Sequence, residues 1–188
     1  MKKSFLTILT LLLTTALVFA VANSASSSTS TKAAQRKAKR EAREQTAIDN
    51  MKAALATQSF IFYPTSYTLP YQNPVQIFDR SDLYMSFYPE DLDISLPFEL
   101  QNDKEFTFDA SLLPYTDYTV KATKHPNNFI ITAKLTNVSN TGFDSDFEDQ
   151  NMNIGIHIAL SLSTGSAFVT LTPDFSAAVT YEGRIIAN

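Results

Sequence analysis

The stretch Ile154-Gly155-Ile156-His157-Ile158-Ala159-Leu160-Ser161-Leu162-Ser163 decides the fold. Its large apolar residues occupy every second position, and a β-strand returns its side chains to one side with that period. One side is core. The other carries Gly155, His157, Ala159, Ser161 and Ser163, and the alternation alone leaves open which of the two faces looks into a closed barrel.

Shorter runs on both sides read the same way: Phe60 and Phe62, Leu83 to Tyr88, Ile94 to Phe98, and Phe106 with Phe108. Tyr118 to Ala122, Phe129 to Leu135, Phe168 to Thr172 and Val179 to Ile186 follow. Turn formers separate them, among them Gln101-Asn102-Asp103, His125-Pro126-Asn127-Asn128, Ser163-Thr164-Gly165 and Pro173-Asp174. Roughly eight to ten short strands with no helical pattern between them predict an antiparallel meander, closed into a barrel or folded as a sandwich. Parallel crossovers would need connecting helices for which these intervals are too short.

Ahead of the β-rich part lies a different texture. Residues 32–58 are rich in Ala, Lys, Arg, Glu and Gln and contain neither Gly nor Pro, the composition of a helix. Ile48, Met51 and Leu55 follow the three-four spacing of a packed face, whereas the earlier turns offer only alanines. The second half should therefore dock on the domain and the first half face solvent. Residues 23–31 are a Ser/Thr-rich linker with nothing to bury.

The chain begins with Lys2 and Lys3, an apolar run from Phe5 to Ala20, and small residues around Val18-Phe19-Ala20 and Ala20-Val21-Ala22, the order of parts in a secretory signal peptide. A membrane anchor is the alternative reading, but threonines at 7, 10, 14 and 15 dilute the run. The domain plan is thus a signal peptide (1–22), a linker (23–31), a basic helix (32–58) and a β-barrel domain (59–188). A periplasmic or secreted location follows, and with no cysteine in the chain neither a lipoprotein anchor nor a disulfide framework is available. Stability must come from a hydrophobic core, for which roughly 165 residues suffice.

Charge divides the chain. The net charge of -4 combines Lys2 and Lys3 with seven basic and three acidic residues over 32–52 and six basic and sixteen acidic ones from Ala53 onward. An acidic body argues against nucleic acid as a partner, since attraction to phosphate supplies most sequence-independent affinity. The basic helix, with Arg36, Lys37, Lys39, Arg40 and Arg43, lacks apolar residues to insert. It could give at most weak, salt-sensitive contact with a membrane surface.

Several motifs together resemble domain-of-unknown-function family 4251, exported proteins of Bacteroides-type bacteria. They are the Lys/Arg/Ala-rich segment ending in Ala54-Leu55-Ala56-Thr57-Gln58-Ser59-Phe60-Ile61-Phe62, then Ser81-Asp82-Leu83-Tyr84, Leu96-Pro97-Phe98, Gly165 to Leu171, and Tyr181-Glu182-Gly183-Arg184-Ile185. The resemblance implies a lipocalin-like β-barrel preceded by an N-terminal helix, and no established activity.

Candidate chemistry is sparse. No Gly-x-Ser-x-Gly elbow, His-Glu-x-x-His motif or cysteine is present, so the reading is of a protein that is not an enzyme and needs no cofactor. The acidic loop Asp144-Ser145-Asp146-Phe147-Glu148-Asp149 places carboxylates at alternate positions. It lacks the turn glycine and distal glutamate of a calcium loop, and reads as a solvated surface segment. Fourteen Phe and eight Tyr remain, with tyrosines 63, 67, 71, 84, 88, 115 and 118 clustered in the early strands. Rigid amphipathic rings suit an apolar or amphipathic ligand. Tyr84, Tyr118 and His157 are the candidate ligand-binding residues. Two functions are expected from this: a barrel that binds a small hydrophobic ligand, or a filled barrel that contacts another envelope protein.

Overall fold

The computed structural model describes residues 28–70, 72–77, 82–99, 105–138, 152–174 and 177–188. The leader, the acidic loop 144–149 and Tyr71 lie outside them. Among the described residues one helix, α1 (Ser28–Ala56), precedes nine strands. These are β1 (Phe60–Thr68), β2 (Val75–Gln76), β3 (Tyr84–Phe87), β4 (Asp91–Glu99), β5 (Glu105–Ala122), β6 (Asn128–Val138), β7 (Met152–Ser161), β8 (Ser166–Pro173) and β9 (Val179–Ala187).

Each strand from β3 to β8 pairs antiparallel with its successor, and β1 closes the ring by pairing with β3 on one edge and β9 on the other. The result is the expected mainly β architecture, an eight-stranded antiparallel meander barrel after one N-terminal helix. Of the two closures the sequence allowed, the barrel is the one adopted. The two-residue β2 lies against the far end of β1, with Ser66 opposite Gln76.

In β7 the isoleucines face inward. Ile154 and Ile158 are wholly inaccessible, while His157 on the other face is exposed. Neighbouring strands obey the same rule, with Ile131, Ala133 and Leu135 from β6 and Ala167, Val169 and Leu171 from β8 buried at matching positions. A cross-strand pair shares a face, so one inward residue fixes the facing of its partners.

The other side of the barrel is less regular. What reads in the sequence as two strands is one 18-residue strand, β5, pairing with β4 through residues 105–114 and with β6 through 115–122. It turns this corner through positive φ at Leu112 (55°) and Asp117 (56°), with register shifts beside each in the partner pairings. The Leu112 N–H freed by the bulge donates to Asp93 Oδ1 at 2.8 Å. β1 carries a further irregularity, a register shift between Pro64 and Ser66 in its pairing with β9.

Helix α1 falls into two parts. Over 31–43 its side chains are exposed, and the i,i+4 pair of Lys37 with Glu41 at 3.8 Å contributes about 0.3–0.5 kcal/mol. Its last turns are different, because Ile48, Met51, Ala54 and Leu55 join the hydrophobic core. The helix ends in a Schellman arrangement: Ser59 N–H donates to Ala54 O at 2.9 Å and Gln58 N–H to Leu55 O, with Gln58 at φ 56°. That reversal feeds the chain directly into β1.

Candidate functional site

Among the described residues the barrel interior is occupied by close-packed side chains. Phe60, Phe62, Met85, Phe87, Leu92, Ile94, Leu96 and Phe98 from the β1–β3–β4 side have no accessible surface. Since a void holding even one water would expose part of its lining, none abuts these side chains. Tyr181 reaches across from β9 and donates its hydroxyl to the Pro97 carbonyl of β4 at 2.5 Å. Burial pushes that phenol well above its ordinary range, with Tyr67 adding to the effect. An eight-stranded barrel has room for side chains or for one small ligand. Here side chains occupy it.

One end of the barrel is sealed by polar contacts as well. Tyr118 donates its hydroxyl to Leu55 O, in the last turn of α1, at 2.8 Å. The Tyr115 hydroxyl lies between the Gln58 side-chain amide and the Tyr88 carbonyl. Both neighbours, Gln58 Oε1 and the Tyr88 carbonyl, are acceptors, and the single phenol proton is the donor to them. Both rings pack on Phe87, which stacks on Phe60 with centroids 4.6 Å apart. Burial, then the Asp91 charge, pushes the Tyr115 phenol up to about 12, and burial followed by Tyr115 raises Tyr118 further.

The three candidate residues therefore lie in three different settings. Tyr118 is half-buried and holds the helix end. His157 is exposed on the outside of β7, flanked in register by Thr132 and Thr170. Tyr84 lies on the outside of β3, and four steps round an eight-strand ring separate β3 from β7. No single site contains all three.

Tyr84 has the most chemistry around it. Its partner in register is Ser95, and Ser86 on the same face pairs with Asp93. On the other edge Ser86 faces Ile61, which in turn faces Ile186 of β9. Burial comes first in raising the Tyr84 phenol, and the charges of Asp93 and Asp109 and the phenols of Tyr88 and Tyr63 add to it. Those four groups thus lie within electrostatic reach of one hydroxyl. Ser86 is the unusual member. Although it points away from the core it is 2% exposed, and its Oγ has no hydrogen-bond partner.

Ser86 and Asp93 carry no signal in the sequence beyond their places in alternating runs, and only strand pairing makes them neighbours. Elsewhere, a shallow groove of about 360 Å³ lies between the end of α1 and the end of β9, lined by Asn50, Ala53, Thr57, Ser59 and Asn188 among others. Among the described residues no helix is long and apolar enough to cross a membrane, and no three His, Asp or Glu side chains are grouped to hold a metal.

Comparison with known proteins agrees with this architecture. The chain is similar in structure to a DUF4251 family protein from Bacteroides eggerthii, with a TM-score of 0.53 and 15% identity over 76% of this chain and 88% of that one. No family model matches the sequence, and no curated protein matches it. The protein therefore has the fold of a β-barrel family of unknown function, the one its motifs resemble.

Proposed function

We propose that this is an exported, non-enzymatic interaction module of the cell envelope, in which the barrel serves as a rigid body and recognition takes place on its outside. The observation that carries this reading is the filled interior, from Phe60 and Phe87 at the helix-capped end to Tyr181 across the middle. A small hydrophobic ligand held within the barrel would have to displace close-packed side chains, at the cost that overpacking imposes. Support for export comes from the charged, apolar and small-residue order of residues 1–22. The basic half of α1 adds no more than weak, salt-sensitive attraction to anionic surfaces.

Titration with an apolar fluorophore, N-phenyl-1-naphthylamine, tests the filled barrel. No saturable emission is expected. One-to-one uptake with a blue-shifted spectrum would overturn the reading in favour of ligand storage. Sequencing the N-terminus of protein recovered from the envelope fraction tests export, the expected start being just after Ala20 or Ala22.

A further inference from the structure

We infer that the first half of α1 is a docking arm for a second copy of this chain, its row of cations lying on the acidic wall that β4 and β5 of that copy present. The inference rests on the reading that recognition takes place outside the barrel. At about 100° per residue, Lys32, Arg36, Lys39, Arg40 and Arg43 fall within one sector of the helix about 100° wide. Glu41 and Glu44 fall outside it. All side chains of this stretch are exposed, and Lys32, Arg36, Lys39 and Arg43 have no ion-pair partner among the described residues. Like charges at i,i+4, as in Lys32/Arg36, Arg36/Arg40 and Lys39/Arg43, destabilise a solvated helix, whereas alternating signs would support it. An anionic surface laid along the sector relieves that repulsion.

The complementary surface is on the barrel. Glu90 precedes β4, Asp91 and Asp93 lie on it, and Asp109 and Asp117 lie on its neighbour β5. Glu90, Asp109 and Asp117 are exposed, and Asp91 and Asp93 are half-buried. No Lys or Arg occurs in β1, β3 or β4, or in β5 before Lys121, so these carboxylates have no cation beside them in their own strands. From Asp91 to Asp109, which stands in register with Ser95, the row runs about 13 Å at the rise of a strand, against about 16 Å from Lys32 to Arg43 at the rise of a helix. Charge and length both match. An anionic bilayer or a nucleic acid would attract the arm but be repelled by the wall, whereas a second copy engages both. Each chain carries one arm and one wall, so reciprocal docking closes a two-fold dimer in which the two contacts reinforce each other. Exposed ion pairs are individually weak and screened by salt, which makes the dimer a low-affinity, salt-sensitive one.

Sedimentation equilibrium of the exported chain, at protein concentrations up to about 0.5 mM, tests this. A dimer is expected at about 0.01 M salt, where charges act over about 30 Å, and a monomer at about 1 M, where they act over about 3 Å. Reversing the arm (Arg36→Glu, Lys39→Glu, Arg43→Glu) or the wall (Glu90→Lys, Asp109→Lys) should weaken dimerisation at least about tenfold. Mixed in equal amounts at low salt, the two variants should form a heterodimer, because each arm then meets a wall of opposite sign. That recovery also shows that both variants are folded. The inference is overturned by a monomer at every salt concentration, by either variant dimerising as the parent does, or by a mixture that stays monomeric. Arm-dependent retention of a monomer on phosphatidylglycerol vesicles would reassign the cations to lipid and equally overturn a second copy. None of these results bears on the filled barrel, which the fluorophore titration decides separately.

Discussion

The two sides of this barrel solve closure differently. From β6 to β8 the ladders run in unbroken register over most of their length, and the inward row is Ile, Leu, Val and Ala at strict alternation. From β9 through β1 to β5 the ladders shift at Pro64/Ser66, at Leu92/Ile94 and at Thr116/Thr119. The inward row there is rich in Phe and Tyr, and tyrosine hydroxyls reach backbone groups. The regular side is held by apolar packing and its ladders. The irregular side adds bends that bring distant polar groups together, and it carries both the helix cap and the buried, unpartnered Ser86 hydroxyl.

The comparison breaks most visibly at glycine. A Cβ on Gly183 would come within 2.1 Å of Tyr63 O and 2.8 Å of Pro64 Cα, backbone atoms of the facing strand at the β1–β9 seam. Gly183→Ala is therefore expected to cost about 3–5 kcal/mol, read as a lowered urea midpoint or loss of soluble protein. On the regular side, Ile158→Ala should cost about 2–5 kcal/mol by leaving a cavity among fully buried neighbours. A clearly smaller loss at Gly183 than at Ile158 would remove the distinction between the two sides.

Hydroxyl removal gives a smaller effect confined to the irregular side. Tyr115→Phe and Tyr118→Phe should each cost about 1–2 kcal/mol, by leaving the Tyr88 or Leu55 carbonyl short of a donor. Their pH dependence has a definite sign. Both folded-state values are raised above the ordinary phenol value of 10, so the folded protein keeps protons that the unfolded chain releases. That stability is fully present below pH 10 and falls as pH rises towards 12, the Tyr115 value. Base titration followed by circular dichroism should show this slope, flattened in the double Phe variant. The smallest effect is expected at Gly155, where an added Cβ meets Thr172 O at 3.6 Å, an ordinary contact. Gly155→Ala should be neutral or stabilise by up to about 0.5–1 kcal/mol, since alanine loses less backbone freedom on folding.

Legibility in the sequence follows the same division. The alternation at 154–162 marks β7 and separates its two faces correctly, because a regular ladder imposes period two without exception. The helix face at Ile48, Met51 and Leu55 is equally plain, and all three residues are buried. β5 reads as two strands, because its bulges at Leu112 and Asp117 interrupt the period while the ladder continues past them. Tyr84 stands out as an aromatic residue in a strand. Its neighbours Ser86, Asp93 and Asp109 do not, since each belongs to a run whose partner is unknown until the strands pair.

Period, composition and charge are enough to specify an antiparallel β body with a basic helix before it, because these depend on local backbone geometry and on which residues avoid water. Whether the barrel is hollow, which way His157 faces, and what gathers around Tyr84 are decided only by closure. Closing eight strands into a ring sets the volume inside and the register between strands, and both are properties of the assembled sheet that no single strand possesses.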